Sequence, residues 1–260
     1  MVLAHPPFCV TVSGADDAVC IGDLLALSRA YSFVEWGILY CMENEGTAHN
    51  PSAEWRRKFA AVCKKYRLRS ALHLWGDATF RMLLQRRADS AFAMQMQRYD
   101  RVQVNMNGRV RSFNTEEVID VYRVLAAYGV KLILQRHEGS ADAIDRFLSM
   151  SLTKATSLPL VVSVLFDASC GKGVSPREWP APISVGEIEI DTGYAGGISL
   201  RNIESVLDAT AIAVRESGHR PHRYWLDMQS GVRTAGQFDL EKVERILSIV
   251  ARRLARSATT

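Results

Sequence analysis

Hydrophobic and polar positions follow two alternating patterns along the whole chain. Short runs rich in β-branched and aromatic residues predict strands, and after each of them apolar residues recur at helical spacing. The sixth run is almost uninterrupted by polar residues, which is typical of a strand buried on both faces. The predicted strands are Phe8–Val12, Phe33–Tyr40, Arg69–Trp75, Arg101–Met106, Val130–Gln135, Leu158–Phe166, Gly186–Ile190 and Tyr224–Met228.

The segments between these strands predict helices and two longer loops. A polar loop covers residues 43–50, and a loop from Asp167 to Ile183 separates the sixth strand from the seventh. Thr115 is expected to cap the helix after the fourth strand, because a Ser or Thr followed by early acidic residues is typical of a helix start. The helical patterns run from Asp16 through Leu27, Pro51 to Tyr66, Gly76 to Arg87, Ala91 to Tyr99, onward from Thr115, Ser140 to Met150, onward from Gly197, and onward from Asp239.

This alternation of strands and helices predicts a parallel sheet, because parallel neighbours need a crossover connection. Eight such units predict closure into a barrel. We therefore predict a single-domain α/β fold, a (β/α)8 TIM barrel spanning residues 1–260, within which no break in composition marks a linker. The alternative is an open doubly wound sheet, but the G-x-G-x-x-G pattern typical of that fold is absent after the first strand.

Composition excludes several classes of function. The formal charge of +4 comes from 32 basic and 28 acidic residues, which is too small an excess to predict a nucleic-acid partner. The five cysteines form no C-x-x-C pair, so neither a disulfide framework nor a zinc site is expected. No apolar run reaches membrane-spanning length and the first residues lack a signal pattern, so we expect a reducing, cytoplasmic setting without a membrane partner.

Two glycine-containing turns near the end of the chain predict a phosphate site. The stretch 191–201 reads D-T-G-Y-A-G-G-I-S-L-R and is expected to enter a helix whose first turn carries Ser199. A second turn, Q-S-G-V-R at 229–233, follows the eighth strand. Glycines let the backbone approach a ligand, and the free N–H groups of a first helical turn favour an anion. The alternative is a pair of tight turns without a ligand. The predicted phosphate-binding residues are Gly196, Gly197, Ser230 and Gly231.

Five polar residues in the predicted strands or in the loops that follow them are candidates for contact with a substrate. Asp167 ends a buried strand at the mouth of the barrel, which suits a general acid, or else it caps the following turn or pairs with Lys172. Lys172 lies between two glycines and either reaches a phosphate or faces solvent. Asp227, within the eighth strand, either contacts a ligand or pairs with an arginine or a backbone amide. Asn105 and Gln103 either contact a substrate or bridge strands.

Histidines give little support for catalysis or metal binding. His73 lies inside the third strand and His137 follows the fifth, and such lone histidines are more often structural than catalytic. Neither H-x-H nor H-E-x-x-H occurs. We therefore expect no metal ion and no cofactor.

Five groups of residues occur in an order that resembles a known enzyme family. They are T-V-S-G-A-D (11–16), V-Q-V-N (102–105), V-L-F-D with S-C-G-K-G (164–167 and 169–173), Y-A-G-G-I-S-L-R-N-I (194–203) and L-D-M-Q-S-G-V-R (226–233). In this order they resemble phosphoribosylanthranilate isomerase of tryptophan biosynthesis, a ribulose-phosphate-binding TIM barrel. The resemblance covers most of the chain and is specific in its last third.

That family catalyses an Amadori rearrangement, in which a phosphoribosyl-amine opens and isomerises to an amino-ketose phosphate. The resemblance implies that Asp167 is the acid, that Asp227 is the family's strand-eight aspartate, and that the two glycine turns hold the phosphate. Ser13 stands at the position of the family's catalytic cysteine. Because a hydroxyl is a far poorer base than a thiolate, Ser13 needs an activator of its own. The family's strand-four histidine is Asn105 here, and its carboxylate-binding arginine has no counterpart in the loop 43–50.

These observations leave three hypotheses. The first is an isomerase that converts a phosphorylated ribosyl-amine or related sugar phosphate by an aldose–ketose rearrangement, acting as a monomer or homodimer. The second, which the missing cysteine and arginine favour, is a non-catalytic or repurposed phosphosugar-binding barrel. The third is a barrel enzyme of another reaction type. Of these an aldolase needs a Schiff-base lysine, and Lys131 begins the fifth strand, at the opposite end of the barrel from the expected site.

Overall fold

The computed structural model describes residues 6–85, 90–106, 113–153, 162–167, 169, 173–217 and 222–258. Eight parallel strands close into a barrel, which confirms the predicted (β/α)8 fold. Each strand pairs with its neighbours along the chain, and the first pairs with the last, so that Val10 lies beside both Val34 and Leu226. The barrel strands are β1 Cys9–Ser13, β2 Val34–Tyr40, β3 Arg69–Leu74, β4 Arg101–Val104, β5 Lys131–Arg136, β6 Val162–Asp167, β7 Thr192–Ala195 and β8 Tyr224–Met228.

Helices surround the barrel and pack their apolar faces on its outer surface. In one of them Trp55, Phe59 and Cys63 are buried at a spacing of four residues, as expected of an amphipathic helix that covers a sheet. Ser52 caps that helix by accepting a hydrogen bond from the Trp55 N–H. The helices of the described residues are α1 Ile21–Ala30, α2 Ala53–Tyr66, α3 Asp77–Leu84, α4 Ser90–Met96, α5 Thr115–Ala127, α6 Ala141–Thr153, α7 Ile203–Glu216 and α8 Leu240–Ala258.

The cap of α5 is Asn114, so the prediction that Thr115 caps this helix is wrong by one residue. The Asn114 side chain accepts from the Glu117 N–H, and the Glu117 carboxylate accepts in return from the Asn114 N–H. This reciprocal pair is a capping box, which satisfies two of the amide donors that a helix start otherwise leaves free.

The seventh strand was predicted in the wrong place. The barrel strand is Thr192–Ala195, whereas part of the predicted segment, Ile188–Glu189, forms an antiparallel hairpin with Ser184–Val185. The cause lies inside the barrel, where the ring of Trp225 occupies the space beside β7. A Cβ atom added at Gly193 would lie 2.3 Å from that ring. The residues of β7 that point into the barrel must therefore have small side chains. As a result, this strand lacks the pattern of apolar residues from which the other barrel strands were predicted.

The connection from β6 to β7 is the irregular one in this barrel. Residues 173–191, the part of it that the structure describes in full, hold the small hairpin and no α-helix, as the predicted long loop implies. Tyr194 of β7 fixes this connection to the barrel wall, since its ring contacts Trp179 and its hydroxyl donates to the Pro180 carbonyl at 2.9 Å. Two short helices, α3 and α4, separate β3 from β4 instead of one.

The interior of the barrel is layered. A small apolar cluster of Cys9, Ile133, Leu165 and Trp225 fills its middle. Toward the amino ends of the strands lies a buried ion pair, in which Arg101 Nε donates to Glu35 Oε2 at 3.0 Å. None of the helices in the described part of the chain has the length and hydrophobicity that crossing a membrane requires.

Candidate functional site

One polar cavity lies at the carboxyl ends of the strands and brings together most of the predicted site residues. Its volume is about 70 Å³. Residues from seven of the eight strands or from the loops after them line it. Lys172, a predicted phosphate contact, lies outside the described residues. The predicted site residues that line the cavity are Ser13, Asn105, Asp167, Gly196, Gly197, Asp227 and Ser230.

The two glycine turns lie side by side above β7 and β8. Gly196 and Gly197 have φ angles of +122° and +59°, conformations that favour glycine. A parallel bridge joins Ser199 to Gly231. The approach is close, because a Cβ atom at Gly231 would lie 2.0 Å from the Ile198 carbonyl oxygen. The backbone therefore places both turns at one edge of the cavity.

Other parts of the chain occupy some of the space and donors expected for a phosphate. The Ser199 N–H donates to Asn202 Oδ1 at 2.8 Å, so this amide already has a partner. Because α7 begins at Ile203, the prediction that Ser199 belongs to its first turn is wrong.

A cavity that holds one water needs about 10–15 Å³. The space at the mouth therefore accommodates a phosphate-sized group or a few waters.

The segment 173–175 crosses the glycine turn and closes the cavity from above. A Cβ atom at Gly197 would lie 2.6 Å from both the amide nitrogen and the Oγ atom of Ser175, and 2.9 Å from the Gly173 carbonyl oxygen. A Cβ atom at Gly173 would in turn lie 2.6 Å from Ser230 Oγ. The two glycine turns and this segment thus pack against one another with no room for an added side chain.

Gly197→Ala is expected to destabilise the protein by about 2 kcal/mol or more, since about 1 kcal/mol comes from the left-handed conformation and the rest from crowding. The matched control is Gly129→Ala. Gly129 has a similar φ of +67° but open space around it, so only the conformational cost of about 1 kcal/mol applies there. Urea unfolding of the three proteins measures the difference, and equal losses in the two variants would show that the turn is not tightly packed.

Asp227 is the group at this mouth whose proton affinity is most altered. It is buried in β8 and accepts a hydrogen bond from Ser13 Oγ at 2.9 Å. Burial and, to a smaller extent, the nearby charges of Asp167 and Glu35 raise the pKa of Asp227 to about 7, against the opposing effects of Ser13 and Arg101. A carboxyl group with this pKa exchanges its proton near neutral pH, which is the property of a general acid or base.

Gln135 and Ser169 hold the Asp167 carboxylate by hydrogen bonds. Its Oδ2 atom accepts from Gln135 Nε2 at 2.7 Å, and its Oδ1 atom accepts from the amide and hydroxyl of Ser169 at 3.0 and 2.8 Å. Capping of the turn after β6, one of the alternatives that the sequence left open, is therefore observed. The same contacts fix the carboxylate at the edge of the cavity, so a structural role and contact with a ligand are compatible.

His73, Gln103 and Gln135 also line the cavity, and of these three only Gln103 was considered as a substrate contact from the sequence. His73 is buried, and burial lowers its pKa to about 4, so its ring is neutral at pH 7. His73 Nε2, Gln103 Oε1 and Gln135 Oε1 are buried without a hydrogen-bond partner among the described residues. The sequence carried a signal for them, because alternate residues of a barrel strand point inward and these three are in phase with the residues at the mouth.

Asn105 contacts its own strand rather than a neighbouring one. Its Oδ1 atom accepts from Gln103 Nε2 at 2.6 Å, two residues earlier in the chain. The alternative of an amide that bridges two strands is therefore not what the structure shows. Both side chains line the mouth, where Gln103 retains an unpartnered oxygen.

Fold and site together define a (β/α)8 barrel with a small polar cavity at the carboxyl ends of its strands, the place where active sites lie in this fold. No protein-family model matches the chain, and no curated protein matches it.

Solved structures of the same fold include N-(5′-phosphoribosyl)anthranilate isomerase from Pyrococcus furiosus, with 15% identity and a TM-score of 0.50 over 97% of this chain and 100% of that one. A truncated 3-deoxy-D-arabino-heptulosonate 7-phosphate synthase from Thermotoga maritima has 9% identity and a TM-score of 0.55 over 98% and 88%. A D-tagatose 3-epimerase-like protein has 11% identity and a TM-score of 0.53 over 96% and 98%. At these identities the similarity extends to the fold alone.

Proposed function

We propose that this protein is an isomerase of a phosphorylated ribosyl-amine or related sugar phosphate, of the phosphoribosylanthranilate isomerase type. The observation that carries the proposal is Asp227, whose pKa of about 7 makes it able to exchange a proton at neutral pH inside a polar cavity. Ser13 and Asp167 line the same cavity, and the two glycine turns lie at its edge.

The phosphate of the substrate is proposed to bind at the glycine turns. Gly196 and Gly197 line the cavity, Gly231 lies in the adjoining turn, and Ser230 adds an exposed hydroxyl. The segment 173–175 lies over this position, so it must shift when a substrate larger than a phosphate group enters. Lys172, next to that segment, stays a predicted phosphate contact.

The structure supports a change in the assignment of the base. The sequence placed the base at Ser13, but a hydroxyl that donates to a carboxylate with a pKa of about 7 is better suited to orient that carboxylate. We assign the base to Asp227, positioned by Ser13, and keep Asp167 as the acid. Two carboxyl groups in one cavity then divide the proton transfers between them.

Each step of the proposed reaction balances. Asp167 protonates the furanose ring oxygen, the bond from that oxygen to C1 breaks, and the nitrogen lone pair forms a C1=N iminium. Asp227 then takes the proton from C2, the C–H electrons form a C1=C2 bond, and the C=N electrons return to nitrogen. Asp227 then returns its proton to C1 while the C2 hydroxyl gives its proton to Asp167, which yields the amino-ketose phosphate and restores both carboxyl groups.

Unpartnered acceptors at the mouth fit the hydroxyl groups of a sugar. Gln103 and Gln135 each have an amide oxygen, and neutral His73 has a ring nitrogen, that lack a partner among the described residues. A buried acceptor without a donor costs free energy that a ligand hydroxyl restores. Three such acceptors around one cavity favour a polyhydroxylated ligand over an apolar one.

A binding protein without turnover is the second candidate. It is favoured by Ser13, which stands where the similar family has its catalytic cysteine. It predicts the same ligands but no product.

The test is an assay of the purified protein with phosphoribosylanthranilate and a panel of aldose phosphates. Ketose products are followed by chromatography, beside a thermal-shift screen of the same compounds. Formation of an amino-ketose or ketose phosphate supports the isomerase. A ligand-dependent rise in Tm without product supports the binding barrel, and no response to any phosphorylated sugar contradicts both.

A further inference from the structure

A second and larger cavity lies at the opposite end of the barrel, where the strands begin. Its volume of about 690 Å³ is within the range of small-molecule sites, about 300–1,000 Å³. Seven lysine and arginine side chains line it, against three carboxylates. Four of these cations stand at the amino ends of barrel strands: Arg69, Arg101, Lys131 and Arg223.

Hydrogen bonds and ion pairs leave much of this positive charge uncompensated. Arg101 is only 8% exposed and binds Glu35 through Nε and Nη2, but its Nη1 atom has no partner among the described residues. Arg69 and Lys131 are exposed to the cavity, and neither forms an ion pair within the described part of the chain. Arg223 reaches Asp191 only at 3.8 Å.

This arrangement is unfavourable for the free protein. Arg101 and Lys131 are register partners on adjacent parallel strands, so two positive charges that repel each other lie side by side. The carboxyl ends of the helices lie near the amino ends of the barrel strands. Cations there ordinarily stand at the outer rim, where they interact favourably with the helix dipoles. Here the buried Arg101 lines the inner wall, and aromatic rings hold two of the guanidinium groups, with Arg101 4.4 Å from the centroid of Trp225 and Arg223 4.7 Å from that of Phe8.

We propose that this amino-end cavity is a second binding site, which takes a small polyanion carrying two or more phosphate groups. Arginine forks and a lysine around one space match several anionic oxygens at once. The site is distinct from the mouth, because the apolar cluster of Cys9, Ile133, Leu165 and Trp225 lies between the two cavities. The ligand is therefore not the substrate proposed above, and the inference stands without that function.

The probe is inorganic pyrophosphate, titrated into the full-length protein by calorimetry at low ionic strength. Removal of two cations in Arg69→Gln/Lys131→Gln is expected to weaken binding by about tenfold or more, because each charged group contributes to the affinity. Both side chains are exposed, so the variant is expected to fold. Lys131→Arg keeps the charge and is expected to retain binding.

Two control variants test whether a loss of pyrophosphate affinity is specific to the amino-end cavity. Arg57→Gln/Arg146→Gln removes the same charge from exposed positions outside this cavity, and it is expected to change the affinity less than twofold, within the ordinary effect of distant charges. Ser230→Asp places a negative charge at the mouth and is expected to leave the affinity of the amino-end cavity for pyrophosphate unchanged. The proposal is overturned if the wild type fails to bind, if the two double variants lose affinity equally, or if only Ser230→Asp loses it.

Discussion

Asp227→Asn is expected to make the protein more stable at pH 8.5 by about 4 kcal/mol, an upper value that follows from a pKa raised from 3.8 to about 7. Between pH 3.8 and about pH 7 the unfolded chain has released the proton of Asp227, whereas the folded chain still holds it. The unfolded state then binds fewer protons, so the free energy of unfolding falls as the pH rises and the loss is complete above about pH 7. Asparagine cannot ionise, keeps the shape of the side chain and still accepts from Ser13.

Urea unfolding of both proteins at pH 4 and at pH 8.5 measures this effect. At pH 4, close to the ordinary pKa of 3.8, little difference between them is expected. Glu216→Gln removes an exposed carboxylate at the end of α7 and provides the control for general charge effects. A gain of the same size in the control, or a gain at pH 4 as large as at pH 8.5, would contradict the burial of an ionisable Asp227.

The same substitution is expected to reduce turnover of the sugar phosphate by about 10²–10⁴-fold, the usual contribution of a general base. Asp167→Asn is expected to have an effect of similar size as the acid. Both losses should be in kcat, because neither variant alters the proposed phosphate contacts. A variant that is more stable and less active would show that the buried carboxyl group is kept for its chemistry rather than for the fold.

Ser13→Ala separates orientation from proton transfer. Because the hydrogen bond from Ser13 lowers the pKa of Asp227, its removal raises that pKa. The rise in rate with pH should therefore shift to higher pH, with activity recovered at alkaline pH. Loss of turnover at every pH would instead assign the base to Ser13 itself.

Most of the fold follows from the sequence because barrel strands are buried on both faces. β2, whose residues are mostly aliphatic or aromatic, is a strand that propensity alone identifies. β7 escaped this reasoning because its inward space is filled from β8: Trp225 supplies the bulk, so Gly193 must be small. The large Trp225 side chain of β8 fills the space beside the small Gly193 of β7. This relation becomes visible only when the two strands, which are distant in the sequence, lie side by side.

The sequence predicted where the residues of the candidate site lie, but it did not predict the raised pKa of Asp227. Counting strands placed Ser13, Asp167 and Asp227 at one end of the barrel, where the structure has them. The 2.9 Å contact between Ser13 and Asp227 joins residues 214 positions apart and arises only when β1 closes on β8. The raised pKa of Asp227 depends on that closure too, since burial inside the closed barrel is its largest cause.

The ion pair of Glu35 and Arg101 gives the two ends of the barrel a shared electrostatic environment. Glu35 raises the pKa of Asp227 and Arg101 lowers it, although both side chains belong to the opposite half of the interior. The two contributions have opposite signs, and both are smaller than that of burial, so the raised pKa of Asp227 arises mainly from its place inside the barrel.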